Sequence, residues 1–255
     1  MHFWFAPMLI CGCVHLHTPP GPALPDRPGF TDTPAVLPTG AIQVEAGYTD
    51  DRLNDNRYQS AGELLLRVGV GGPVELRFFA NSYAVHSSPT VATVHGFEDF
   101  KLGVKARLIE KPDSVHGLKP NLALLIATTF PTGASNIGAG VVQPEAKLAA
   151  SWTTNSPVSV YSNAGFGTIY DGTAWSSHAW GSVATWYAAT PRISMFVEGL
   201  HTHTVSGPSS PTSYIDGGVT LLFGERFQID VRAGRGIGSP VSSERFIGLG
   251  LARRF

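Results

Sequence analysis

Apolar and polar side chains alternate residue by residue along most of this chain, and clusters of Gly, Pro, Asn and Ser interrupt the alternation. A period of two marks a strand whose two faces meet different surroundings. The clearest stretch places Phe100, Leu102, Val104, Ala106 and Leu108 on one face and Asp99, Lys101, Gly103, Lys105 and Arg107 on the other. A helix, with about 3.6 residues per turn, would mix those two sets. The same pattern predicts a strand from Gly40 to Tyr48, with Ile42, Val44, Ala46 and Tyr48 opposite Gln43 and Glu45. A second sets Leu64, Leu66, Val68 and Val70 against Glu63, Arg67 and Gly69. Across a Gly71-Gly72-Pro73 turn, a third sets Val74, Leu76 and Phe78 against Glu75, Arg77 and Asn81. Further strands are expected over 119–130, 143–154, 157–169, 177–188, 192–203, 212–223, 226–236 and 245–255.

These make about twelve strands, an even number, and predict an all-β fold: a transmembrane antiparallel β-barrel. Connection lengths point the same way. Gly71-Gly72-Pro73, Asn155-Ser156-Pro157, Thr190-Pro191 and Gly224-Glu225 read as tight turns. Segments 49–60, 84–96, 131–142, 170–176, 204–211 and 237–244 read as longer loops. Short turns at one end and long loops at the other are the outer-membrane arrangement, with the short end periplasmic. The connection 109–118 departs from it by being long where a short one is expected.

The last strand, Arg245 to Phe255, places Ile247, Leu249, Leu251 and Phe255 on one face and Gly248, Gly250 and Arg254 on the other. A terminal strand left unpaired would be a sticky edge, whereas pairing with the strand at 40–48 would close a barrel. The alternation ending in Phe255 resembles the C-terminal assembly signal of bacterial outer-membrane proteins, which the barrel-assembly machinery reads. Arg253 falls on the apolar face, near the headgroup level where a cation costs little.

Composition narrows the class. Charged residues are only 15% while Gly reaches 29, an unusual balance for a soluble protein but a natural one for a barrel in lipid. A net charge of −1 gives no reason to expect nucleic acid. No apolar run is long enough to span a bilayer as a helix. Phe3 to Val14 has the length of a signal-peptide core, so residues 1–23 are read as a signal peptide, with a lipobox-like Cys13 as an alternative use of the same segment. Both cysteines, Cys11 and Cys13, lie there, which leaves the rest of the chain without disulfides or thiolate metal sites. Residues 24–39 form a Pro-rich lead-in, a candidate plug, and 40–255 the barrel. Aromatic residues near strand ends (Tyr48, Phe78, Trp152, Tyr170, Trp180, Trp186, Phe246 and Phe255) suggest girdles at the two lipid interfaces.

The stretch Asp26-Arg27-Pro28-Gly29-Phe30-Thr31-Asp32-Thr33-Pro34, then Pro38-Thr39-Gly40 and Ile42-Gln43-Val44-Glu45, resembles the start of the outer-membrane family named for the meta-pathway of phenol degradation. Phe100-Lys101-Leu102-Gly103-Val104-Lys105 and the strand Leu124 to Phe130 ending in Pro131-Thr132-Gly133 are similar in character. The resemblance covers about residues 26–255. It implies an outer-membrane barrel, a channel or transporter for small hydrophobic or aromatic solutes, and it assigns no enzymatic chemistry.

The polar faces define the candidate lumen: Gln43, Glu45, Glu63, Arg67, Glu75, Arg77, Asp99, Lys101, Lys105, Arg107, Glu145, Lys147, Glu198, Asp216, Asp230 and Arg232. Acids and bases nearly balance, and Glu63 and Arg67 are expected to meet Glu75 and Arg77 across a hairpin. Such a set either forms a salt-bridged interior or a constriction that orients a solute. Barrels of about twelve strands lie between filled eight-stranded and open sixteen-stranded ones, so a narrow or partly plugged passage is expected. His178, His201 and His203, with Ser206 nearby, raise a lipid-modifying enzyme, and His201 with His203 a metal pair. No motif marks a catalytic set, no cofactor is called for, and the alternatives are that enzyme, a closed structural or adhesive barrel, or a soluble β-sandwich.

Overall fold

The computed structural model describes residues 22–111, 119–153 and 156–255. The expected leader therefore lies outside the described residues up to 21, Cys13 included, as do 112–118 of the long connection and Asn155. The strands are β1 (Ile42–Leu53), β2 (Asn56–Gly71), β3 (Val74–Phe79), β4 (Tyr83–Ser87), β5 (Val94–Phe97), β6 (Phe100–Ile109) and β7 (Asn121–Phe130). They continue as β8 (Gln143–Thr153), β9 (Val158–Tyr170), β10 (Trp175–Ala188), β11 (Ile193–Ser206), β12 (Thr212–Phe223), β13 (Phe227–Gly236) and β14 (Arg245–Arg254).

Twelve strands close a barrel in the order β1-β2-β3-β6 and on through β14, which pairs antiparallel with β1. Gln43 faces Arg254 and Gly47 faces Gly250 across this seam, so the terminal strand has no free edge. The outer wall is apolar: Val104, Ile126, Phe166, Val183, Val197 and Leu249 are all exposed. The interior is the reverse, since the largest fully buried side chains include Arg67, Lys105, Gln43, Glu45 and Glu75. That inversion is what a lipid-facing exterior demands.

Two short strands add to the twelve. β4 pairs with the first part of β2, from Arg57 to Ala61, and with β5. They continue the hairpin of β3 and β6 beyond an interruption at 80–82 and 98–99. The expected loop 84–96 is thus partly a ladder. The expected loop 49–60 is corrected more fully: β1 runs to Leu53, β2 starts at Asn56, and Asn54, with φ 55°, makes the turn. Asp50, Asp51, Arg52, Asn56 and Arg57 conceal these strand ends from a pattern search. About ten residues suffice to cross the bilayer, and beyond it a ladder needs no apolar face.

The girdle expectation fails at three positions. Trp180, Trp186 and Phe246 belong to the inner face, Trp186 stacked on Phe196 with centroids 4.8 Å apart and Phe246 against the lumen segment. On β10 the outer positions are taken by Val183 and Tyr187, so the alternation carries its tryptophans inward.

Candidate functional site

Residues 22–41 run through the lumen. The segment enters at the short-turn end, where Ala23 N–H donates to Glu225 O (2.6 Å) and Arg254 Nη1 to Pro22 O (2.9 Å). It rises to Phe30, crosses towards β9 and returns to the same end, where Gly40 N–H donates to Gly69 O (2.8 Å). Pro25, Pro28, Pro34 and Pro38 carry no N–H and so remove donors that the interior would have to satisfy. Wall carboxylates take several of the remaining N–H groups. Glu45 accepts from Asp26 (3.1 Å), Glu75 from Leu37 (2.9 Å), and Glu198 from Phe30 and from Thr31 (2.9 Å). Asn163 and Asp32 bond reciprocally, at 2.8 and 2.9 Å.

At the centre, Arg67 reaches Glu45 (3.0 Å) and Glu75 (2.8 Å), and Arg77 reaches Glu75 (3.1 Å). Asp26 sits among all three wall cations: Lys105 Nζ at 2.8 Å, Arg67 at 3.5 Å, and Arg77 in direct contact. These side chains are almost completely buried. The wall supplies three cations and two carboxylates here, one positive charge in excess, and Asp26 balances it. Buried charges are tolerated when paired and hydrogen-bonded in this way.

Arg27 forms a second tie. Its guanidinium lies over Gly47 and Gly250, where a Cβ on either would collide with it. It pairs with Glu63 (2.7 Å) and Asp230 (3.6 Å) and donates to Leu249 O (3.1 Å). Glu63 therefore turns to the lumen segment rather than to Arg77, because a bulge at Gly62 (φ 109°) and Glu63 (φ 38°) re-aims it. Lys147 contacts Asp32, and Lys101 pairs with Glu145 at 3.1 Å. Arg232 lies over the Phe30 ring at 4.9 Å and the Phe246 ring at 5.2 Å. Asp216 is buried beside its cross-strand neighbour Glu198, and neither of its carboxylate oxygens has a hydrogen-bond donor among the described residues.

Two residues of the expected lumen set lie near the ends of the barrel. Asp99 accepts from Thr132, Gly133 and Ala139 N–H (3.1, 2.8 and 2.8 Å), pinning the loop 131–142 at the long-loop end. Arg107 lies towards the opposite end and pairs with Glu110 at 2.6 Å. The pattern missed the lumen segment's own charges, Asp26, Arg27 and Asp32, because no alternation surrounds them. A run of acids and a base among prolines was the available signal.

On the long-loop side of Phe30 lies a cavity of about 280 Å³, lined among others by Phe30, His178, Trp180, Leu200 and Thr202. A wider recess of about 790 Å³ lies nearer the loops, between Glu63, Phe79, Lys101, Asn136 and Tyr170. Phe255 lies at the short-turn rim, its N–H donating to Ile42 O (2.8 Å). His201 and His203 face the outer side, exposed, and His201 Nδ1 is 2.9 Å from Ser213 Oγ on β12. In the loop 237–244, burial and the nearby Asp51 raise the Glu244 carboxyl to about 7, and Tyr214 donates to it at 3.0 Å.

Comparison with known proteins agrees with this architecture. The outer membrane channel from Pseudomonas putida F1 superposes with a TM-score of 0.68 at 15% identity, over 90% of this chain and 99% of that one. The NanC porin gives 0.56 at 9% identity over 83% and 98%. The KdgM porin, solved with disordered oligogalacturonate, gives 0.51 at 13% identity over 83% and 99%. The fold is that of outer-membrane barrels. No curated protein sequence matches the chain. The model of the family described as "Putative MetA-pathway of phenol degradation" matches residues 25–255.

Proposed function

The chain belongs to this phenol-degradation family, and we propose that it is an outer-membrane channel through which small hydrophobic or aromatic solutes diffuse passively, with residues 22–41 as its gate. The short-turn end is periplasmic and the long loops face outward. The observation that carries this reading is the way the lumen is filled. A segment held by hydrogen bonds and ion pairs, most of them to wall side chains, occupies the short-turn side, while cavities lie on the other side of Phe30. Polar contacts of this kind can be exchanged for water, so the segment can leave without unfolding the wall. An apolar core could not be vacated on those terms.

The neighbours named a channel and porins support the reading, as does the family's description. The apolar outer wall is its contact with lipid, and Phe255 its signal to the assembly machinery. The reading gives the chain no enzymatic role: His201 and His203 stand on the outer wall, away from the polar groups of the lumen. Single-channel recording and solute flux into liposomes test the proposal. Flux that rises when the lumen segment is loosened is expected; absence of conductance and flux in both the intact and the loosened protein refutes it.

A further inference from the structure

Trp180 lies over Gly165 and Gly167 of the neighbouring strand, so closely that a Cβ at Gly165 would strike the indole. Two glycines thus let a large aromatic lie against the wall and leave the lumen beside it free. The space they preserve is the cavity of about 280 Å³ above Phe30, just under the range of roughly 300–1,000 Å³ typical of sites for drug-sized ligands. Its apolar lining includes Phe30, Ile169, Trp180 and Leu200. His178 also lines it, only 5% exposed, and among the described residues neither of its ring nitrogens has a hydrogen-bond partner. Buried imidazoles ordinarily find partners, and this one faces a cavity that also holds two aromatic rings, the Glu145 carboxylate and the Thr168 and Thr202 hydroxyls.

We propose that this cavity is a binding subsite for single-ring aromatics that carry one hydrogen-bonding substituent. Trp180 and Phe30 hold the ring, and His178 takes the substituent. A neutral imidazole offers one donor and one acceptor, so it serves a hydroxyl in either sense. A site that hydrogen-bonds a hydroxyl discriminates against the isostere lacking it, because its own polar group is then left unpaired. The subsite deepens the channel reading and rests on it only for the route by which a solute arrives.

Phenol and toluene are the probes, a hydroxyl against a methyl on the same ring. They are titrated calorimetrically against the folded protein in amphipol, with protein-free amphipol as the blank. Phenol is expected to bind roughly tenfold more tightly than toluene, the order of one buried hydrogen bond. His178→Leu should remove that advantage and leave toluene unchanged, and Trp180→Ala should weaken both. Equal affinity for the two probes in the unaltered protein, or no binding of phenol, overturns the subsite and requires no variant to fold. Liposome flux separates this outcome from the channel reading. His178-dependent phenol binding without flux of any solute keeps the subsite and removes the channel. Flux with equal binding of both probes does the opposite.

Discussion

Lys105 Nζ, on the barrel wall, lies 2.8 Å from Asp26 Oδ2, on the segment that fills the lumen. Both side chains are almost wholly buried, and Lys105 also donates to Thr33 O at 2.9 Å. The wall alone leaves one cation unbalanced at this level, so Asp26 is what the segment contributes to the barrel as well as what anchors it. Asp26→Asn keeps the shape and removes the charge. Removing one member of a buried ion network costs about 3–5 kcal/mol where the partner stays dry. Here the lumen can take up water, so the smaller part of that cost should appear as lost stability and the larger as a displaced segment. The expected result in planar bilayers is a higher open probability for Asp26→Asn than for the unaltered protein, with little change in the temperature at which the folded band is lost on a detergent gel.

A second prediction concerns the seam. Gly47 and Gly250 face each other between β1 and β14, and Arg27 lies across both. Gly250→Val keeps the strand pairing, since Val suits a strand, yet puts a side chain where the guanidinium lies. Arg27 must then leave Glu63 and Asp230. Gly250→Val and Arg27→Ala should each raise conductance, and the double variant should do no more than either alone, the mark of one shared interaction. Additive effects in single-channel records would show that the two residues act separately.

The strands and the polar lumen were legible wherever one face meets lipid and the other does not, as in β6 and β14. Legibility ended where that contrast ended. Beyond the bilayer, Asp50 to Arg57 carry the ladder with polar side chains on both faces, and a period-two reading turns them into a loop. Asp26 and Arg27 lie in the family-like stretch but carry no pattern that marks them as lumen charges, since a segment threaded through a barrel has no periodicity to display. Residue type alone puts Trp180 and Phe246 at the lipid interface, whereas the parity of their own strands carries them inward.

The loop 237–244 should respond to pH. Glu244 is raised to about 7 by burial and by Asp51, against an ordinary value near 4.5. A carboxyl raised in the docked loop binds a proton there that it would release when the loop opens. Its contribution to docking is therefore complete below about 4.5 and is lost as pH rises through about 7. Amide exchange in this loop should be faster at pH 8 than at pH 5.5 after correction for the intrinsic rate. Glu244→Gln, which keeps a neutral hydrogen-bonding side chain, should flatten the difference.

The outer wall gives a prediction whose sign decides the environment. Leu249 is 54% exposed near the middle of β14, between Gly248 and Gly250 of the inner face. In a water-facing sheet, Leu249→Arg would remove an exposed apolar side chain and be neutral or helpful. At the bilayer midplane the same change costs about 2–4 kcal/mol, falling to about 0–1 kcal/mol near the interface. Arg253 lies at the end of the same strand, over the Phe255 ring at 5.2 Å, where the cost of its cation is at the low end. Folding into phospholipid vesicles, followed by urea titration, should show Leu249→Arg strongly destabilised and Arg253→Leu nearly unchanged. A Leu249→Arg barrel as stable as the original would place this face in water and remove the membrane reading altogether.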